Sequence, residues 1–276
     1  MSIGRFVCVF IYVGLLFTTS AYALENCVTP PTCDELGFTV NIEDCAGAAL
    51  KCPWDLSKAA CRIKSAETVK PVSCVIGSVL GGDQLCYEAG QLPGNVTPIG
   101  IVFDTANKLA VALTDIKEDG SSGSETMYWS SSYCDVPGLT NCVYDSGDTA
   151  VDSCGVDGRA NTTAILGCGS SCGTTYVANG TNLYNPSGCT ADFCKKTKWF
   201  LPSMRDLAKI YANKTVINGS LTLLSIFGAK TLTESYYWSS TEKTADDAWI
   251  FGMYNGLRRH TSKGSNGLYV RPVVKY

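Results

Sequence analysis

Histidine is nearly absent. The 276-residue chain carries one, His260, which excludes most histidine-based metal sites and leaves a single imidazole for any catalytic triad. Charge is thin: charged residues are 17% of the chain and the formal net charge is −3, or about −4 without Arg5. With no basic bias, nucleic acid is excluded as an expected partner. No Gly-X-Y tract occurs, so a collagen-type triple helix is excluded. Beyond the first two dozen residues no run is apolar and long enough for a membrane helix. No cysteine follows Cys194, so sulfur chemistry is confined to the earlier part of the chain.

The leader and the cysteines define the compartment. Arg5, the apolar run Phe6–Phe17 and the small residues of Ala21–Ala23 predict a cleaved secretory signal peptide over 1–23. Its apolar run is short for a membrane span, and Glu25 and Asn26 are unlike a lipid-attachment box. Removing Cys8 with the leader leaves Cys27, Cys33, Cys45, Cys52, Cys61, Cys74, Cys86, Cys134, Cys142, Cys154, Cys168, Cys172, Cys189 and Cys194. An even set in an exported chain argues for disulfides. The close pairs Cys168/Cys172 and Cys189/Cys194 could supply four thiolates to zinc, but in an oxidising compartment no metal is expected. The predicted localisation is secreted, cell surface or periplasm.

Two regions differ in character. Residues 24–70 hold Cys27, Cys33, Cys45, Cys52 and Cys61 but few large apolar residues. Such a module cannot fold on its own core and needs bridges, each contributing about 2–4 kcal/mol. Five is odd, so one partner is expected outside, with Cys74 or Cys86 nearest. Polar Ser65–Pro71 reads as the linker to a main domain over 71–276. There Ile99–Asp104 and Lys108–Leu113 alternate as a hairpin around Thr105–Asn107. Leu201–Asn213 reads as a helix with Ser203 as N-cap and Asp206 completing a capping box. A second helix is expected over Leu221–Phe227, capped by Ser220 and stopped by Gly228. Ala248–Tyr254 and Leu257–Thr261 flank Asn255-Gly256, the strongest two-residue hairpin signal. Leu268–Tyr276 closes the chain as a strand, with Pro272 suited to its edge or end. Residues 131–198, with seven cysteines and many small polar residues, read as a stapled, loop-rich insertion; Gly158–Gly167 could hold one or two helical turns.

Several motifs in order, Thr97–Ile116, Trp199–Tyr211, Tyr236–Glu242, Ala248–Gly256 and Tyr269–Val273, resemble the C-terminal domain family of the collagen-like bacterial adhesin Lcl. They are also similar to Fibrobacter-type major-paralogue domains. The resemblance implies a C-type-lectin-like fold in secreted or surface-displayed bacterial proteins, the named adhesin binding acidic glycans. The expected fold class is therefore α+β: a C-type-lectin-like mixed sheet with two short helices and a long cysteine-rich insertion (131–198), preceded by a small disulfide-rich module. Trp129-Ser-Ser leads into the insertion where shorter relatives have a helix, so ligand preference does not carry over, and without Gly-X-Y repeats neither does trimerisation.

Trp-Ser-Ser occurs twice, at Trp129 and Trp238. A buried tryptophan removes about 150–250 Å² from water, on the order of 4–6 kcal/mol at the upper bound. Trp129, Trp199, Trp238 and Trp249 are therefore read as structural aromatics, and the repeat as two strands of one mixed sheet. In Gly256–Gly264, Arg258, Arg259, His260 and Lys263 are candidates for an anion-binding edge suited to carboxylated or sulfated glycans; the alternative is a charged edge strand that resists aggregation. Glu234, Glu242, Asp246 and Asp247 could pair for glycoside hydrolysis or hold calcium; otherwise they belong to a polar loop. No catalytic residue is assigned. The expected function is non-enzymatic: a secreted or surface-displayed bacterial, adhesin-like protein that binds a glycan or surface protein. The alternatives are a structural subunit of a surface appendage or matrix and a carboxylate-based hydrolase. No cofactor is expected beyond a possible calcium ion.

Overall fold

A computed structural model describes residues 69–264 and 267–276; the leader over 1–23 and the cysteine module, apart from its last two residues, lie outside the described residues. The fold set out here is that of the compact unit formed by Pro71–Ala89 and Thr97–Tyr276.

Its elements in chain order are β1 (Val79–Gly81), β2 (Cys86–Tyr87), β3 (Pro98–Asp104), β4 (Leu109–Ala112), α1 (Gly158–Gly167), α2 (Tyr176–Leu183), β5 (Trp199–Phe200), α3 (Met204–Ala212), α4 (Lys214–Leu223), β6 (Tyr236–Glu242), β7 (Asp247–Gly252), β8 (Arg258–Ser262) and β9 (Val273–Lys275). They make two antiparallel sheets, one ordered β2-β1-β3-β4-β9-β5 and one ordered β6-β7-β8. The α+β class stands, with sheets that are antiparallel instead of mixed; the parallel pairing among the described residues is the isolated bridge Tyr237–Tyr269. Trp129 lies outside the named strands, next to the bridge Met127–Leu268, so the two Trp-Ser-Ser segments are not two strands of one sheet.

The β3–β4 hairpin forms as its alternation predicts, with Ile101 opposite Val111. Every residue of both strands is buried, because both faces are covered. Helices α3 and α4 pack on β3, while Val102, Ala110 and Ala112 share a core cluster with Val177 and Ala178 of α2 and with Trp199. The insertion is thus partly a core layer. Helix α1 runs ten residues, more than the one or two turns expected, because Asp157 caps the backbone N–H groups of Arg159 and Ala160 and buried Ile165 anchors it. The α2 segment, YVANGTNL, carries little helix propensity and is held by the burial of Val177, Ala178, Gly180 and Thr181.

Helix α3 starts as predicted, with the reciprocal Ser203–Asp206 capping box in place. The second helix starts seven residues before its expected Leu221, at Lys214. Ser220 sits inside it and donates to the Gly77 carbonyl at 2.7 Å; Ile217 and Leu221 supply its buried face. Left-handed Gly228 (φ 82°) ends the 3-10 turn that follows.

The β7–β8 connection is wider than a two-residue turn, since β7 ends at Gly252 and β8 begins at Arg258. Tertiary contacts pull Met253 out of the ladder: its N–H donates to Ser235 O at 2.8 Å and its carbonyl accepts Lys214 Nζ at 2.8 Å. Gly256 (φ 74°) lies against Tyr211, where a Cβ would stand 2.7 Å from the ring. Pro272 precedes β9 and leaves its ladder intact; β9 runs between β4 and β5.

Cys74 bonds Cys86, Cys142 bonds Cys154 and Cys189 bonds Cys194, while the sulfurs of Cys134, Cys168 and Cys172 gather at one point. Cys74 and Cys86 therefore use each other, and neither is the outside partner expected for the N-terminal cysteines. Among the described residues no helix is long and apolar enough to cross a membrane.

Candidate functional site

Trp129, Trp199, Trp238 and Trp249 are all buried, and each indole N–H donates to a backbone carbonyl. Trp129 donates to Ser239 O at 3.0 Å, and Trp238 donates to Met127 O at 2.8 Å. The two tryptophans therefore bond reciprocally, Trp129 to a serine of the second Tyr-Trp-Ser-Ser segment and Trp238 to the residue just before the first. Trp249 donates to Cys142 O at 2.9 Å and so holds the insertion. With no more than 2% exposure, none of these rings offers a face to a sugar.

The four cations proposed for an anion-binding edge do not form one patch. Lys263 is fully buried. It pairs with buried Glu242, donates to Cys134 O and Ala245 O at 2.7 and 3.0 Å, and lies 4.7 Å from the Trp129 ring centre. Burial pulls the Lys263 ammonium below its usual pKa and pushes the Glu242 carboxyl above its own; their ion pair opposes both shifts. Arg258 pairs with Asp152 of the insertion and rests over Phe251 at 4.9 Å. His260 contacts Asp247 at 3.0 Å and Lys243 at 2.7 Å, edge-on to Trp249. Arg259 alone of the four is exposed. Strand alternation correctly separates it from Arg258 and His260; the pairing of the other three depends on long-range contacts invisible to local pattern.

Three of the four candidate carboxylates are likewise engaged. Glu234 pairs with Lys214, Glu242 with Lys263 and Asp247 with His260. Among the described residues the group of three or more ligand-type side chains that converges closely enough for a metal is Cys134, Cys168 and Cys172. A further buried pair, Arg271–Asp115 at 2.7 Å, receives Tyr237 and Thr233 hydroxyls on the carboxylate and the carbonyls of Lys230 and Thr231 on the guanidinium. The Val-Arg-Pro-Val motif thus has a packing role.

A basic cleft not indicated by the sequence motifs lies elsewhere. It encloses about 260 Å³ and is lined in part by Asn107, Arg159, Phe200, Arg205, Asp206 and Lys275. Gly158 lets α1 enter beside the α3 cap: a Cβ there would stand 2.7 Å from Leu201 O and 3.0 Å from Ser203 N. Arg159 donates to Lys198 O at 3.0 Å and lies over Phe200 at 5.2 Å. Burial lowers its pKa, opposed by Asp157. The Nε atoms of Arg159 and Arg205 are buried without a hydrogen-bond partner. Burial raises the pKa of Asp206, its capping bonds pulling the other way. Asp157 and Asp206 also line the cleft and offset part of this positive charge; its two guanidinium groups and one ammonium still supply the donors that a carboxylate or sulfate needs. Their sequence separation hid this grouping.

No family model matches the chain, and no curated protein matches it. A solved structure of a fimbrial protein from Bacteroides ovatus is similar at a TM-score of 0.47 and 16% identity, over 73% of this chain and 49% of that one. The chain thus spans about half the length of that solved chain, and a likeness this distant assigns neither fold family nor activity.

Proposed function

We propose that this chain is an exported, non-catalytic structural subunit of a surface appendage or matrix. The observation that carries the reading is the internal use of the candidate ligand groups: Lys263 on Glu242, Arg258 on Asp152 and His260 on Asp247. Side chains expected to greet a ligand instead clamp the insertion and the β7–β8 hairpin onto the tryptophan-held core. Disulfides suit an oxidising compartment. The solved neighbour is a fimbrial protein, which makes assembly the property to test. Shearing the producing cells is the test: the chain is expected in the high-molecular-weight surface fraction, and recovery solely as a soluble monomer contradicts the reading.

A second reading keeps the adhesin-like function suggested by the resemblance to the Lcl domain family and its C-type-lectin-like fold. The cleft favours it, since Arg159, Arg205 and Lys275 line it together. The ligand in this reading is a carboxylated or sulfated glycan, or an acidic segment of a surface protein. Replacing both arginines with alanine is expected to weaken retention of acidic oligosaccharides by at least about tenfold, as losing two charged hydrogen bonds implies. Unchanged retention refutes the cleft as the site.

A further inference from the structure

Three sulfurs meet where the insertion folds back on itself. Cys134 lies just past the first Trp-Ser-Ser, Cys168 caps the end of α1, and Cys172 ends the 3-10 turn Gly169–Cys172. The Cα of Cys172 stands 5.1 Å from that of Cys134 and 5.8 Å from that of Cys168, both separations that a disulfide spans. The sulfurs of Cys134 and Cys168 are 3.9 Å apart, and all three sulfurs lie within 4.8 Å of one another. A cysteine sulfur makes one disulfide. Cys172 can bond Cys134 or Cys168 but not both, so the triad carries one sulfur more than its internal bridge can use. The other six described cysteines are closed as Cys74–Cys86, Cys142–Cys154 and Cys189–Cys194.

Backbone bonds support the grouping. Cys134 N–H donates to Ala245 O at 3.0 Å, and its carbonyl accepts Lys263 Nζ at 2.7 Å. Ser131 N–H donates to Thr174 O and Thr174 N–H to Ser131 Oγ, both at 2.8 Å, joining the chain near Cys134 to the chain beyond Cys172. Exposure is unequal: Cys172 is fully buried, whereas Cys134 and Cys168 are half-buried.

We propose that Cys134, Cys168 and Cys172 form a thiol–disulfide exchange site in which buried Cys172 is the shared pivot and the neighbour it releases is a thiol open to an external disulfide. The Cys168 thiolate attacks the Cys172 sulfur of a Cys134–Cys172 bridge. The new sulfur–sulfur bond forms as the old one breaks, and its electron pair leaves on Cys134, which takes a proton from solvent. The numbers of thiols and disulfides are unchanged, so no oxidant is consumed. Toward a partner of class RS–SR, the released thiolate attacks one sulfur, forms a mixed disulfide and expels RS⁻. The site gives the chain a means of covalent attachment and does not rest on the appendage reading.

The test uses the full mature chain, purified without reductant. Free thiols are blocked with N-ethylmaleimide in denaturant, and the digest is mapped by mass spectrometry without reduction. Both Cys134–Cys172 and Cys168–Cys172 peptides are expected, each with the label on the complementary cysteine. Oxidised glutathione added before blocking is expected to give one adduct per triad, shared between Cys134 and Cys168 and absent from Cys172. Cys134→Ser and Cys168→Ser each keep a bridge through Cys172, and each is expected to lose the adduct at the triad. Three results overturn the proposal: a single invariant bridge whose third thiol takes no glutathione, a third sulfur fully bonded to Cys27, Cys33, Cys45, Cys52 or Cys61, or three thiols labelled only after a chelator removes a metal.

Discussion

Trp129 and Trp238 show how a repeated tetrapeptide becomes a fastener. Each ring fills core volume, and each indole N–H satisfies a carbonyl in or next to the opposite copy. Trp238→Phe keeps most of the ring but removes one of two donors to Met127 O, the Leu268 N–H remaining, at an expected cost of about 0.5–1.5 kcal/mol for the lost hydrogen bond. Trp129→Phe removes the indole donor to Ser239 O. Urea unfolding of the two single variants and the double variant forms a cycle; strict additivity would argue against a shared fastener. Lys263 makes the same point for charge. Lys263→Met strands Glu242 in a buried site, at an expected cost of about 3–5 kcal/mol, whereas Lys263→Met with Glu242→Leu recovers much of that loss. Denaturation midpoints of the two variants decide it: equal losses would mean that the pair is not coupled.

The tryptophans were legible from the sequence as structural residues because indole burial dominates other uses of the ring. Lys263 was not. A lysine one residue beyond a strand, followed by glycine, reads locally as a solvated turn. Its burial depends on Glu242, twenty-one residues away, on the Ala245 carbonyl between β6 and β7, and on the Cys134 carbonyl brought from the insertion.

At the scale of elements, capping rules located α3, and the glycine rule located the end of the 3-10 turn after α4, but neither bound of α4 itself. Ser220 has the chemistry of a cap, and its hydroxyl is instead spent on the Gly77 carbonyl, which only the folded chain brings near. The Asn255-Gly256 signal placed a turn correctly and its width wrongly, because Ser235 and Lys214 hold Met253. The basic cleft was illegible for a related reason: Asn107, Arg159, Arg205 and Lys275 come from four separate stretches.

The β3–β4 hairpin is tied to α3 through Asp104, whose carboxylate accepts Lys209 Nζ at 2.5 Å and Asn107 Nδ2 at 2.7 Å. Burial raises the Asp104 pKa, but the hydrogen bonds from Lys209 and Asn107 outweigh it and the net direction is down. A depressed folded-state pKa means a contribution that is complete above the unfolded value near 4 and is lost as pH falls through the lower folded value. Because Lys209 is more than a third exposed, solvent screening limits this to about 1 kcal/mol. Asp104→Asn is expected to flatten the acid limb of a stability–pH curve by about that amount; an unchanged limb would show that Asp104 is not involved. Arg258→Ala should release the Asp152 turn and increase protease cleavage within 131–198, with cleavage elsewhere unchanged as the control.

At the scale of the whole molecule, the α+β class was legible, whereas the two separate antiparallel sheets were not. Alternation identifies strands without naming their partners, and the partners here are set by the reciprocal tryptophans and by residues 268–270 passing between Met127 and Trp238. Residues 131–198, thin in apolar side chains, still supply Ile165, Val177 and Ala178 to the core; their disulfides and ion pairs hold what composition alone would leave open. The result is a surface on which most of the candidate ligand charges have been neutralised internally, as expected of a subunit that holds position. The most direct measurement of that claim is the state of the chain at the surface of the cells that make it. After mechanical shearing and sizing, the account predicts the mature chain in a high-molecular-weight fraction, with acidic-glycan retention unaffected by Arg259→Ala. A freely soluble monomer whose retention on acidic glycans is abolished by Arg259→Ala would contradict it.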